Sequence, residues 1–186
     1  MTVKDAIYGR CSVRAYLPGP VERSVVSELL EAAVRAPTAM HGEPWRFIVV
    51  QDMDLLKRVS DRAKALFVAE TVRLHNRPEG LNAFSQPGFN VFYDAGTLIV
   101  ICAENVGHFE VADCWLAAEN MMLAAHAMGL GTCVIGSAVS ALNLPELKSE
   151  LGIPPETTAV APIIVGSPRG GLTSSARKSP QILKWC

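Results

Sequence analysis

No C-x-x-C pair occurs among the five cysteines of this 186-residue chain, Cys11, Cys102, Cys114, Cys133 and Cys186. An odd number without paired spacing argues against a disulfide framework and a ribbon-type zinc site, so the thiols read as reduced. His41, His75, His108 and His126 fall at no metal-ligand spacing, and no metal is expected. Long apolar runs are missing too: the longest candidate, Thr97 to Ala103, has the length of a strand and not of a membrane span. The opening MTVKDAIYGR contains no apolar signal core, and a cytoplasmic location is the expectation. A formal net charge of −1 removes bulk electrostatic support for nucleic-acid or membrane binding. No G-x-S-x-G elbow is present. Cys114 and Cys133 sit among apolar neighbours that blunt a thiol nucleophile; Cys11, flanked by Arg10 and Arg14, is the exception. Gly129-Leu130-Gly131 begins like a dinucleotide fingerprint, but position 134 is Val. It also follows a helix pattern and leads into a strand, the reverse of the order a phosphate cradle requires.

What is there describes a globular chain. The apolar fraction is 49% against 19% charged, and the length suits a single domain over residues 1–186. A short helix is expected from Asp5 to Gly9. After the turn Pro18-Gly19-Pro20, Val25, Val26, Leu29, Leu30, Ala33 and Val34 recur at helical spacing. Trp45 to Val50 reads as a strand, followed by a helix capped by Asp52 that runs to about Leu74. Residues 76–93, with Pro78, Gly80, Pro87 and Gly88 and four aromatics, read as a long loop of the lid or binding kind. Thr97 to Ala103 reads as a strand buried on both faces. Asp113 opens a long helix closed by Gly129 or Gly131, and Glu119 and Asn120 within it read as polar ties to neighbouring backbone. Cys133 to Gly136 and Thr158 to Val165 are further strands, with a short helix from Pro145 to Leu151 between them. Apolar strands separated by helices give an α+β domain of α/β-type layering, its sheet wrapped by helices.

Two segments carry the chemistry. Arg10-Cys11-Ser12-Val13-Arg14-Ala15-Tyr16 sets two guanidiniums four residues apart with a hydroxyl between them, a set suited to gripping a phosphate. The second is Pro37-Thr38-Ala39-Met40-His41-Gly42-Glu43-Pro44-Trp45. Together they resemble the flavin-dependent nitroreductase family, which carries R-R-S-x-R-x-[FY] and, after a helix, P-[ST]-x-x-N-x-Q-P-W. Ala117 to Thr132, Ala161 to Pro168 and Ala176 to Trp185 fit as well, so the resemblance spans nearly the whole chain.

The resemblance implies a central mixed, mostly antiparallel sheet wrapped by helices and an FMN site. It implies that Arg10 binds the phosphate, Ser12 lies on the phosphate or ribityl side, and Arg14 meets the ribityl and pyrimidine edge, with Cys11 among the cofactor-binding residues. Arg177 and Lys178 in the tail would add phosphate cations, with Arg169 behind them. Pro37, Thr38, Ala39 and His41 would reach the flavin of a second subunit, which implies a homodimer with flavin sites at its interface. The turn Val134 to Ser137 would pass the flavin face, with the Gly136 amide near N5. Two positions depart from the family pattern: His41 stands where the family has Asn, and Glu43 where it has Gln. The activity implied is an oxidoreductase that takes a hydride from NADH or NADPH and passes electrons in ping-pong order to a nitroaromatic, quinone or similar small-molecule acceptor. The flavin carries that chemistry and no protein side chain acts as a catalyst. Two alternatives stay open: a flavin-binding protein of low turnover, serving as sensor or store, and a different reaction such as dehalogenation or flavin breakdown.

Overall fold

The computed structural model describes residues 1–75, 84, 86, 88–107, 109–171 and 176–186, side chains of 74 and 75 aside. Most of the 76–93 segment read as a lid lies outside them. The chain begins with α1 (Val3–Gly9), started by a capping box in which Thr2 and Asp5 exchange hydrogen bonds of 2.9 and 3.1 Å. Then come α2 (Arg23–Ala33), β1 (Trp45–Val50), α3 (Met53–His75) and β2 (Thr97–Ala103). After these come α4 (Glu110–Ala127), β3 (Gly131–Val134), α5 (Val139–Leu142), α6 (Pro145–Leu151) and β4 (Thr158–Gly166). Asp52 caps α3, accepting from the Leu55 amide at 2.8 Å, and Gly152 ends α6 in the left-handed conformation at φ +70°.

The strands form one sheet in the order β1-β2-β4-β3, and every pairing between them is antiparallel. The mostly antiparallel sheet wrapped by helices is as expected, and among the described residues the parallel step is the isolated bridge between Ser12 and Thr132. Its faces divide the core by simple alternation. Leu98, Val100 and Cys102 of β2 pack with Leu56, Val59 and Ala63 of α3 and with Ala141, Leu142 and Leu147. Ile99, Ile101 and Ala103 face Leu29 and Ala33 of α2 and Ala117, Ala118 and Met121 of α4. A bulge opposite Ile101 and Cys102 keeps both Val160 and Ala161 on the α4 side.

Two boundaries differ from expectation for local reasons. Helix α4 opens at Glu110, three residues before Asp113, because the Glu110 carboxylate accepts from the Gly107 and Phe109 amides at 2.8 and 3.2 Å and so serves its entry. Strand β3 spans Gly131–Val134 and not 133–136, because Ile135 turns away at ψ +70° and Gly136–Ala138 form a 3-10 turn.

Candidate functional site

The segment after α1 is stitched to the sheet edge. The Val13 amide donates to Thr132 O at 2.9 Å, Leu17 to Ser167 O at 2.8 Å, and Arg169 to Ala15 O at 2.9 Å. Val13 and Tyr16 are buried and pin the segment; the Tyr16 hydroxyl donates to Val13 O at 2.7 Å. Two glycines make this docking possible. A Cβ at Gly131 would lie 2.7 Å from a Val13 methyl, and one at Gly166 would lie 2.9 Å from the Tyr16 ring. With the apolar members anchored, Ser12, Arg14 and Ala15 face outward. Cys11, Ser12, Arg14, Pro168, Arg169 and Gly170 line a cleft of about 310 Å³.

The cations here are positioned. Arg10 Nε lies 3.2 Å from Glu119 Oε1 on α4, an ion pair in which Arg10 is largely shielded. That pairing occupies Nε and leaves the Nη fork for another acceptor. Glu119 was expected to tie to backbone; instead it orients an arginine, whereas Asn120 does bond to backbone, donating to Ala32 O at 3.3 Å. The Arg14 guanidinium lies 6.0 Å from the Tyr93 ring centroid. Tyr93 is the end of an aromatic row through Phe89, Phe84 and Phe67, with centroids 5.7, 5.1 and 4.7 Å apart. Burial pushes the Cys133 thiol up, while Arg14, a hydrogen bond with Ser12 and Arg10 pull it back. Burial also lifts the Tyr16 hydroxyl far above its usual range, with Cys133 adding to the shift and Arg14 opposing it.

The second segment stands elsewhere on the chain. Ala39, Gly42 and Pro44 line a separate hollow with Glu104, Asn105, Glu110 and Asp113, and none of residues 37–43 lines the arginine cleft. Met40, His41 and Glu43 hold left-handed φ values of 53°, 54° and 42°. Pro37 and His41 are exposed, and Thr38 Oγ1 accepts from the Glu43 amide at 3.5 Å. Val134 ends β3, and Gly136 and Ser137 begin the turn beyond it; the space a Gly136 Cβ would occupy is open. Arg177 and Lys178 lie on an exposed tail outside helix and strand. One chain therefore brings Cys11, Ser12 and Arg14 to one cleft, holds Arg10 beside them in sequence through its pair with Glu119, and leaves Pro37 to His41 apart from the cleft. Sequence reasoning missed Glu119, Tyr93 and Asp113 as partners of these segments. The available signal was their placement, two acids within an apolar helix and a tyrosine closing an aromatic-rich stretch.

Sheet, flanking helices and edge cleft define an α+β protein built to present an arginine-serine-arginine segment at one sheet edge. The chain belongs to the Nitroreductase family, whose model matches residues 7–167. It is 29% identical over 168 residues to an Archaeoglobus fulgidus protein provisionally named an NADH dehydrogenase/NAD(P)H nitroreductase, covering 88% of this chain and 83% of that one. It is also 29% identical over 180 residues to the 5,6-dimethylbenzimidazole synthase of Rhodospirillum rubrum, covering 89% and 82%. The crystal structure of a nitroreductase with bound FMN from Bacteroides fragilis superposes with a TM-score of 0.84 at 26% identity, covering 99% of this chain and 98% of that one.

Proposed function

We propose that this chain is an FMN-dependent oxidoreductase that draws electrons from NADH or NADPH and delivers them to a nitroaromatic, quinone or similar acceptor. The observation that carries the reading is Arg10. Its Nε is fixed by Glu119, and the residue leads directly into the Cys11–Arg14 segment that lines the cleft. That donor set fits a phosphate and the polar edge of a flavin. FMN, when bound, supplies the redox chemistry; Arg10 and Ser12 hold its phosphate and ribityl side, and Arg14 lies at its pyrimidine edge. Cys11 lines the same cleft, Val134, Gly136 and Ser137 pass the ring face, and Arg177 and Lys178 add cations from the tail. Pro37, Thr38, Ala39 and His41 complete the site of a second copy, so the working unit is a homodimer. That reading is supported by apolar surface the chain leaves uncovered: Ile7 and Tyr8 on α1, Trp115 and Leu116 on α4, and Leu183 and Trp185 on the tail. Residues 1–186 act as one FMN-binding domain.

The test is mass spectrometry of the chromophore released from the purified protein, paired with NADH and NADPH oxidation assays. Release of FMN and acceptor-dependent turnover with either nucleotide are expected. Release of FAD, or no uptake of flavin on reconstitution, contradicts the reading; FMN with negligible turnover identifies a binder or store. The Rhodospirillum rubrum relative favours one further reading, a different reaction on the same scaffold. Product analysis after aerobic incubation of the reduced protein separates it, since that reading alone requires a new product.

A further inference from the structure

Asp113 is buried, 5% exposed, on the first turn of α4, and both its carboxylate oxygens lie within hydrogen-bond range of one donor, the Ala39 amide, at 3.2 and 3.3 Å. An acidic residue on a first helical turn ordinarily serves the helix itself. Here that work is done by Glu110, whose Oε2 accepts from the Gly107 and Phe109 amides. The carboxylate of Asp113 is directed across to another segment, 74 residues earlier in sequence. The positive end of α4 lowers the cost of keeping this charge out of water.

The segment it holds is under strain. Met40, His41 and Glu43 are all non-glycine residues in the left-handed region, within four positions, and Met40 is 95% exposed at the tip. Such residues persist only where their surroundings over-determine them. Within this loop the side-chain tie is the 3.5 Å contact between Thr38 and the Glu43 amide, so the shorter contacts to Asp113 are its stronger fastening. We infer that Asp113 is a positioning residue: it clamps Ala39 so that Thr38 and His41 keep the shape with which they complete the flavin site of the second copy. The inference rests on the FMN reading above.

The two ends of the clamp can be cut separately. Asp113→Ala removes the acceptor and Asp113→Asn restores one. Ala39→Pro removes the donor and leaves α4 untouched; Thr38 is already extended at φ −130°, ψ 149°, as the residue before a proline prefers, and proline suits the first position of a helical turn. Full-length protein reconstituted with FMN is titrated for FMN dissociation, and the flavin-free protein is followed by hydrogen exchange across residues 37–45. Asp113→Ala and Ala39→Pro are each expected to weaken FMN binding by about tenfold and to lose loop protection, and the double variant to be no worse than either alone. Asp113→Asn is expected to recover most of the affinity. Additive losses, or Ala39→Pro binding FMN like wild type, would show that Asp113 only supports α4 and would overturn the inference. Deprotection of the loop with unchanged FMN affinity would also overturn it. Wild type taking up no FMN would instead sink the FMN reading, and the exchange data on flavin-free protein would still report whether the clamp exists.

Discussion

Arg10 and Arg14 differ in what holds them, and their substitutions should differ in what they change. Arg10 is fixed by Glu119 and, on the FMN reading, its fork meets the phosphate, so Arg10→Ala should weaken FMN binding by about 1.5–3 kcal/mol with little change in the flavin's potential. Arg14 stands against Tyr93 near the end of β3. A cation at the pyrimidine edge favours the reduced anion over the neutral oxidised ring, so Arg14→Ala should lower the reduction potential by some tens of millivolts, about 30 mV for each 1.4 kcal/mol. Spectroelectrochemical titration of both variants at saturating FMN reads the difference; an unchanged or higher potential in Arg14→Ala removes it from redox tuning. The buried thiols make a pH prediction. Burial lifts Cys102 to about 11 and Cys114 to about 12, with Cys102, Asp113 and Glu110 adding to the shift at Cys114. The unfolded chain releases these protons near pH 9, earlier than the folded one. Stability from this source is therefore complete below about pH 9 and is lost as pH rises through 11 to 12. Urea unfolding of wild type and Cys114→Ala between pH 8 and 11 checks it; the variant should decline less steeply.

At the scale of elements, the sheet edge depends on two missing side chains. Gly131→Ala drives a Cβ into Val13, and Gly166→Ala drives one into the Tyr16 ring. Each should destabilise by about 1–3 kcal/mol, measurable by denaturant unfolding, and should loosen the segment that carries Ser12 and Arg14. A substitution without loss would mean that the Arg10–Tyr16 segment is not docked as described. Much of this architecture was legible in sequence, because β2 is apolar from Leu98 to Ala103, Asp52 is a good cap, and the apolar spacing of α2 has one phase. Strand direction was legible through the family resemblance alone, since antiparallel order between distant strands is set by packing and no local pattern encodes it. The arginine-serine segment was readable as a phosphate grip from residue chemistry alone. Its supports were not, because Glu119 lies 109 positions from Arg10 in sequence and Asp113 lies 74 from Ala39. Residues 76–83, 85 and 87 lie outside the described chain, so the lid expectation has no structural counterpart beyond the aromatic row at its end.

For the whole molecule, the separation of the two motif segments is the central fact. The arginine cleft and the Pro37–His41 loop stand apart in one chain, and the dimer reading makes them complementary pieces; α1, α4 and the tail leave apolar side chains in water. Leu183 is fully exposed and Trp185 is 86% exposed, a poor arrangement for an isolated chain and a reasonable one for an arm laid on a second copy. Removal of residues 176–186 should therefore shift the protein toward monomer in analytical ultracentrifugation and lower its FMN content together. Native mass spectrometry of the purified protein saturated with FMN tests the account most directly. The account predicts a dimer carrying one FMN per chain, with flavin absent from any monomer present. A flavin-loaded monomer, or a dimer that takes up no FMN, would contradict it.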